Sequence, residues 1–417
     1  MGRKIFDEAD IESSQAFCML PWVHLYISTY GTVTPCCVTP WDEKQAFGNI
    51  NKKPIKEIWN DKGIRKMRSQ MLKDKKDARC WQCYENEANG LKSHRQIANL
   101  CYEDKVDWVA GTKLNGYSAD SKPIYWDIRI SNLCNFKCRI CGHFASSKWF
   151  EDAKAINQQS FDKRLQYSMN DFADVLNQLE EFTPELEEVY FAGGEPLIME
   201  EHYRILDLLI EKERFDIKLR YSTNFSQTVF KGRDVFQDWK LFKDLNIHAS
   251  LDGSDKKGEL QRSGQKWLQA LENRKRLLEI CPHADFTITS TISVFNVLHL
   301  PDFHRNWVGQ HLIDVDDFIP HVLMQPDIYN IKILPQSLKD EVDKKYKDHL
   351  LWLKSFPTSA FLKLEFVINE FENTLTIMHS EDWSHLIPQF LSMTEKLDAL
   401  RGENTRAVFP ELEPLFS

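Results

Sequence analysis

The residues best suited to chemistry in this 417-residue chain are its ten cysteines. Cys134, Cys138 and Cys141 fall within eight residues, in the run Ser131-Asn132-Leu133-Cys134-Asn135-Phe136-Lys137-Cys138-Arg139-Ile140-Cys141-Gly142. A loop this short lets three sulfurs each reach a different iron of a cubane cluster, and the fourth iron is then left without a protein ligand. Catalytic metal sites keep such an open position, whereas structural sites are closed. The same three thiols joined by His143 would also make a zinc site. A second group, Cys18, Cys36, Cys80 and Cys83, supplies four thiolates, enough to close a 4Fe-4S cluster or, equally, a zinc knuckle. Cys37, next in sequence, could stand in for Cys36. Cys101 and Cys281 have no partner at ligand spacing and read as buried small hydrophobes.

Composition narrows the setting. Hydrophobic residues make up 42% and charged residues 28% of the chain, near globular averages, and no apolar run approaches the roughly 18 residues a membrane span needs. The opening MGRKIFDEADIESS lacks the apolar core of a secretion signal, so a cytoplasmic location with reduced thiols is expected. Thiols clustered there argue for metal ligation or catalysis over disulfides. A net charge of −9 gives no reason to expect a nucleic-acid partner, although residues 51–79 hold eleven Lys or Arg against four Asp or Glu. That local excess reads as the solvated face of a helix.

These cysteines need elements to position them. Residues 14–105 read as a small metal-organised domain, with strand character over His24 to Thr29 and around Val33, a turn at Tyr30-Gly31, and a helical stretch from Pro54 towards Leu72. From about 120 to 335 the pattern alternates. Strands are predicted over Ile124 to Ile130, Glu188 to Ala192, Ile217 to Ser222, Ile247 to Leu251, Phe286 to Ser293 and Phe318 to Leu323. Amphipathic helices lie between them at Asp171 to Leu179, His202 to Glu211 and Trp267 to Ile280. Six strands alternating with helices imply an α/β fold with a parallel sheet, open or curled into a partial barrel, whose active site lies beyond the carboxyl ends of the strands. Residues 336–417 read as a helical extension, with Ser337 as N-cap and an apolar stripe of Val342, Tyr346, Leu350 and Leu353. The extension shows no chemistry, and its expected role is packing.

The strand ends bear on what the cysteine loop binds. Phe191-Ala192-Gly193-Gly194-Glu195-Pro196 closes the second strand, where paired glycines let a ligand approach the backbone and Glu195 can receive an ammonium group. Ser222-Thr223-Asn224 ends the third strand, Ser250-Leu251-Asp252-Gly253 the fourth, and Gln261-Arg262-Ser263-Gly264 comes next; Asn296 lies after the fifth. Taken singly these are turns, caps and a surface arginine. In order, on the rim that carries the C-x3-C-x2-C loop, the series resembles the radical S-adenosylmethionine (radical SAM) superfamily, and a zinc protein has no reason to display it. One departure is Ile140, where an aromatic residue is usual before the third cysteine. The resemblance implies a partial (β/α)6 barrel and a 4Fe-4S cluster on Cys134, Cys138 and Cys141 whose unique iron chelates S-adenosylmethionine. It further implies reductive cleavage to a 5'-deoxyadenosyl radical and abstraction of hydrogen from a substrate. Gly193, Gly194, Glu195 and Pro196 would then form the cofactor-binding turn in which Glu195 receives the methionine ammonium, with Ser222 and Asn224 on the ribose or carboxylate, Ser250 and Asp252 on the ribose, and Arg262 on the methionyl carboxylate.

Phe17-Cys18-Met19-Leu20-Pro21-Trp22, Pro35-Cys36-Cys37, Gly48-Asn49-Ile50, Ile58-Trp59 and Cys80-Trp81-Gln82-Cys83 are similar to the auxiliary-cluster segment of the SPASM and twitch subfamily. In that subfamily the segment usually comes after the barrel; here it precedes it. The resemblance implies an auxiliary 4Fe-4S cluster on Cys18, Cys36, Cys80 and Cys83, acting as an electron relay. The expected function is oxidation or crosslinking of a peptide or protein residue, with an external one-electron donor such as flavodoxin or ferredoxin and no membrane partner. Two alternatives are dehydrogenation of a sugar or aminocyclitol alcohol and a non-catalytic zinc-stabilised binding protein. His24, His202, His248 and His321 read as core or surface histidines. Ser146, Ser147 and Trp149 match the residues expected after the cluster loop in relatives, with no chemistry assigned.

Overall fold

The computed structural model describes residues 11, 13–39, 43–88, 92–157, 162–357 and 363–416. The chain divides into two compact units, Met1–Ser131 with Gln166–Arg220, and Asn132–Leu165 with Tyr221–Ser417.

The first unit begins with β1 (His24–Ile27), buried along its whole length, which pairs antiparallel with β2 (Thr32–Thr34), itself paired with β3 (Gly48–Asn49). Gly31 makes the turn at φ 72°, and a Cβ there would meet the Ser168 carbonyl oxygen at 2.3 Å, so only glycine fits. Then come α1 (Lys62–Met71), capped by the Asp61 carboxylate, α2 (Trp81–Ala88), and α3 (His94–Cys101), opened by a Ser93/Gln96 capping box. β4 (Tyr125–Ile128) runs parallel to β1, with Tyr125 opposite His24 and Ile128 opposite Ile27. The segment bearing the N-terminal cysteines is therefore hydrogen-bonded into the same sheet as the first of the alternating strands. After α4 (Phe172–Glu180), β5 (Glu188–Phe191) pairs parallel with β4. After α5 (Glu200–Glu211), Lys218 at the head of β6 (Lys218–Thr223) donates its backbone N–H to the Glu187 carbonyl at 2.9 Å. Along β6, Leu219, Tyr221 and Thr223 are buried while Lys218, Arg220 and Ser222 are half-buried, the two-residue period of a strand.

In the second unit the end of β6 lies beside β7 (Asp244–Ala249), joined by a 2.8 Å bond from the Ser250 N–H to the Thr223 carbonyl. After α6 (Trp267–Ile280), β8 (Asp285–Ile292) is parallel to β7 on one side and, beyond α7 (Leu300–Gly309), to β9 (Phe318–Val322) on the other. Trp267, Phe286, Phe303, Trp307 and Phe318 pack together between these strands and helices. Three longer helices follow, α8 (Gln336–Leu353), α9 (Lys363–Ser380) and α10 (Ile387–Arg401), and after them two short ones, α11 (Thr405–Val408) and α12 (Glu413–Phe416).

The fold class is the one expected, α/β with parallel strands alternating with helices as in a partial (β/α) barrel, a cysteine-rich N-terminal segment and a helical C-terminal extension. Three local readings need correction. Pro335, not Ser337, stands at the N-cap of α8: its fixed φ sets the helical entry, and its carbonyl accepts from the Leu338 and Lys339 N–H groups. Cys101, read as buried, is exposed at the end of α3. The basic stretch is not wholly solvated, because Arg68 lies fully buried on the inner face of α1 between Trp22 and Trp59 and donates to the Pro21 carbonyl at 2.8 Å. Among the described residues no helix is long and apolar enough to cross a membrane.

Candidate functional site

The loop carrying Cys134, Cys138 and Cys141 comes directly after β4 and is tied down from several directions inside the second unit. Ser147 Oγ accepts from the Cys134 N–H at 3.4 Å, Ser146 Oγ donates to the Phe136 carbonyl at 2.5 Å, and Trp149 Nε1 donates to the Cys138 carbonyl at 2.8 Å. On another side the loop backbone pairs with the segment after β7, through Lys137 N–H to Ser263 O at 2.9 Å and Arg139 N–H to Gln261 O at 2.7 Å. That approach needs Gly264, whose φ is 113° and whose added Cβ would lie 2.8 Å from the Phe136 ring.

The three sulfurs gather beneath this loop. Cys138 and Cys141 share a hydrogen bond, and Cys134 is near enough to act electrostatically on Cys141. The bond from Cys141, helped by the Arg262 charge, holds the Cys138 thiol below its ordinary range against the effect of burial. Cys141 is driven well above its range by the same bond and by burial. The Phe136 N–H donates to Cys134 Sγ at 3.4 Å. His143, the fourth ligand a zinc site would recruit, directs Nε2 to the Arg164 carbonyl at 2.8 Å.

Of the strand-end residues in this unit, Arg262 and Asp252 form one set of contacts near the cysteine loop and Asn224 forms another with it. Arg262 Nε pairs with Asp252 Oδ2 at 2.7 Å, while Asp252 Oδ1 accepts from the Thr291 N–H at 2.8 Å. Asn296 Nδ2 donates to the carbonyls of Asp252 and Thr291, both at 3.0 Å. Both oxygens of Asp252 are thus engaged, and its effect is to hold the guanidinium beside Cys138 and Cys141. Asn224 Nδ2 donates to Asn135 Oδ1 at 2.8 Å, and Ser226 Oγ closes the triangle by donating to Asn224 Oδ1 at 2.7 Å and accepting from Asn135 Nδ2 at 2.9 Å. Ser222 and Ser250 lie half-buried at their strand ends.

In the first unit, Gly193 and Gly194 both take positive φ, 79° and 52°. Glu195, fully buried, accepts from the Leu197 N–H at 3.1 Å and so caps the short turn that Pro196 opens. Cys18, Cys36, Cys80 and Cys83 line one cavity together with Met71, His94 and Arg95. Burial, then the neighbouring Cys80 and Cys36, drive the Cys18 thiol well above its ordinary range. Burial also pushes both Cys36 and Cys80 up to about 12. Four thiols kept neutral around a cavity are what a cationic metal centre would convert to thiolates. Cys37 turns aside, facing Asp127 and Arg129, and is raised to about 12 by burial and then by Asp127. Helix α3 fixes the Cys18 segment: Arg95 Nη1 donates to the Phe17 carbonyl at 2.7 Å, and Asn99 Oδ1 accepts from the Met19 N–H at 2.9 Å. Among the described residues no group of three or more His, Cys, Asp or Glu is set for a single metal ion; the four thiols surround a space instead.

Comparison with known families gives two matches. The model of the Radical SAM superfamily matches residues 128–304, and that of the SPASM iron-sulfur cluster-binding domain matches residues 18–84. The chain carries a radical SAM domain. Its SPASM domain stands at the N-terminus, ahead of the radical SAM domain. The cofactors are accordingly a 4Fe-4S cluster with S-adenosylmethionine, and an auxiliary iron-sulfur cluster. Both thiol sets fit such groups: a cluster on three thiolates is anionic, and Arg262 with the Phe136 N–H faces that charge. Among solved structures, native anSMEcpe with bound AdoMet and Cp18Cys peptide is similar at 15% identity with a TM-score of 0.38, covering 56% of this chain and 60% of its own. Streptococcus suis SuiB bound to S-adenosylmethionine is similar at 16% identity with a TM-score of 0.39, covering 79% of this chain and 69% of its own. This chain thus spans 60% of the length of the anSMEcpe chain. No curated protein matches it.

Several supporting residues of this radical SAM chain carry no role that their sequence alone assigns. Ser146, Ser147 and Trp149 hold the backbone of the cysteine loop. Arg95 and Asn99 are reached only through the fold, because they act on the Cys18 segment across about eighty positions.

Proposed function

We propose that this chain is an enzyme that cleaves S-adenosylmethionine reductively and abstracts hydrogen from a peptide or protein residue, which it oxidises or crosslinks. The supporting observation is the gathering of Cys134, Cys138 and Cys141 beside Arg262, with His143 bonded elsewhere. In this reading the three cysteines hold the catalytic cluster and leave one iron to S-adenosylmethionine. When bound, that pair supplies the electron that breaks the sulfonium bond and the radical that takes the substrate hydrogen. Arg262, steadied by Asp252, binds the methionyl carboxylate. Glu195 receives the ammonium, while Gly193 and Gly194 leave the backbone open to the ligand ahead of Pro196. Ser222 and Ser250 face the ribose, and Asn224 keeps the cysteine loop seated. Cys18, Cys36, Cys80 and Cys83 hold the auxiliary cluster, which accepts the second electron of a two-electron oxidation. Residues 14–105 form the auxiliary domain, 120–335 the radical SAM barrel and 336–417 an extension. The enzyme works in the cytoplasm with an external one-electron donor of the flavodoxin or ferredoxin type.

Anaerobic reconstitution should load about eight irons per chain, two cubes of four, and reduction in the presence of S-adenosylmethionine should release 5'-deoxyadenosine. Cys138→Ala should abolish that release, and continued production of the nucleoside by this variant would overturn the assignment.

A further inference from the structure

Within the C-terminal extension, the end of α10 reaches the cysteine loop. Arg139, between the second and third cysteines, is fully buried, and Nη2 pairs with Asp398 of α10 and, at 2.6 Å, with Glu403 just beyond it. The chain can bring both carboxylates to one guanidinium because Gly402 closes α10 in the left-handed conformation at φ 65°, turning the Glu403 N–H back onto the Asp398 carbonyl at 3.0 Å. Arg401, from the same turn, lies with its guanidinium 4.6 Å from the centre of the Trp149 ring and pairs with Asp152 at 2.8 Å. Asp152 in turn takes Lys137 of the loop at 3.2 Å. Leu397 and Met393 of α10 pack with Trp149, Ile156 and Cys141.

Lys137, Arg139 and Arg401 thus face Asp152, Asp398 and Glu403: three cations against three anions around a loop that carries the thiols. Apolar contact alone would anchor a helix here, and burying an arginine costs more than burying an apolar side chain of the same size unless its charge is met. Charges this close to a cluster act on its electron affinity, since burial and nearby charge are among the protein's main controls over iron-sulfur potential.

We propose that the last turn of α10, through Asp398, Arg401 and Glu403, sets the position and the reduction potential of the cluster on Cys134, Cys138 and Cys141. These are positioning residues acting through Arg139, Asp152 and Lys137. The inference rests on the reading of the three cysteines as cluster ligands.

The test is a redox titration of the reconstituted full chain, monitored by electron paramagnetic resonance on the signal that responds to S-adenosylmethionine. Asp398→Asn leaves excess positive charge at Arg139 and should raise the midpoint potential; Arg401→Gln leaves excess negative charge at Asp152 and should lower it. Mere loosening of the loop would move both variants the same way, and that result, or no movement in either, overturns the proposal. If Asp398→Asn loses iron, Asp398→Glu must restore both iron and potential, and its failure to do so also overturns it. The underlying ligand reading fails separately, by persistence of the same signal in Cys138→Ala.

Discussion

Acid should destabilise the second unit through two buried histidines. His304 in α7 and His349 in α8 are both fully buried, with His304 Nε2 directed to the Val315 carbonyl at 3.0 Å and His304 Nδ1 at 3.3 Å from His349 Nε2. The carbonyl requires a proton on His304 Nε2, so His304 Nδ1 accepts from His349 Nε2–H and both rings are neutral. Desolvation lowers His304 to about 3 and His349 to about 2, the latter also through repulsion from His304. Because the folded values lie below the unfolded value of about 6.5, their contribution is complete above that pH and is lost as pH falls towards the folded values. Between about pH 7.5 and pH 5 each ring costs about 2 kcal/mol, so the pair costs about 4 kcal/mol. His349→Phe can keep the ring contacts with Trp352 and Phe371. It should lower stability at neutral pH by about 1–3 kcal/mol, because His304 loses its donor, and it should shrink the loss between the two pH values by about 2 kcal/mol. Urea melts of wild type and variant, followed by circular dichroism, measure both terms. An unchanged pH dependence in the variant would refute the reasoning, because no ionisation at His349 would then be coupled to unfolding.

Cys36→Ala should cost about four irons, whereas Cys37→Ala should leave iron content unchanged, because its thiol faces Asp127 and Arg129 rather than Cys18, Cys80 and Cys83; iron analysis of the two variants decides it. Gly264→Ala forces a side chain into positive φ and against Phe136. It should cost about 1–3 kcal/mol in urea denaturation. Arg95→Met breaks a largely buried pair with Glu87, 2.6 Å long, and removes the shorter of the two donors to the Phe17 carbonyl, leaving Asn99 Nδ2 at 3.2 Å. It should destabilise the first unit by about 3–5 kcal/mol and deplete the N-terminal iron, read by a melt and by iron counting.

What could be read in the sequence was whatever depends on near neighbours in the chain. The alternating segments appear as strands and helices within a few residues of their expected limits, since strand and helix periods are written locally: α6 falls on Trp267–Ile280, the range predicted for it. Three thiols in eight residues are likewise local. What escaped depends on pairs far apart. Nothing near Arg139 shows that a charge inside the C-x3-C-x2-C loop is met by carboxylates some 260 positions later, or that Arg68 in a run of lysines turns inward between two tryptophans. A lone arginine in a basic or polar stretch looks solvated because solvation is its cheapest state, and only the fold reveals the partners that make burial possible. Asp252 makes the same point from the other side. Its residue type and place at a strand end fit a ribose acceptor, yet its oxygens already serve Arg262 and the Thr291 N–H. A polar residue at a strand end therefore states that something is bound there, while whether the partner is a ligand or another side chain is decided by tertiary neighbours. In the proposed reading Arg262, held in place by the Asp252 carboxylate, is one of the groups that meet the ligand.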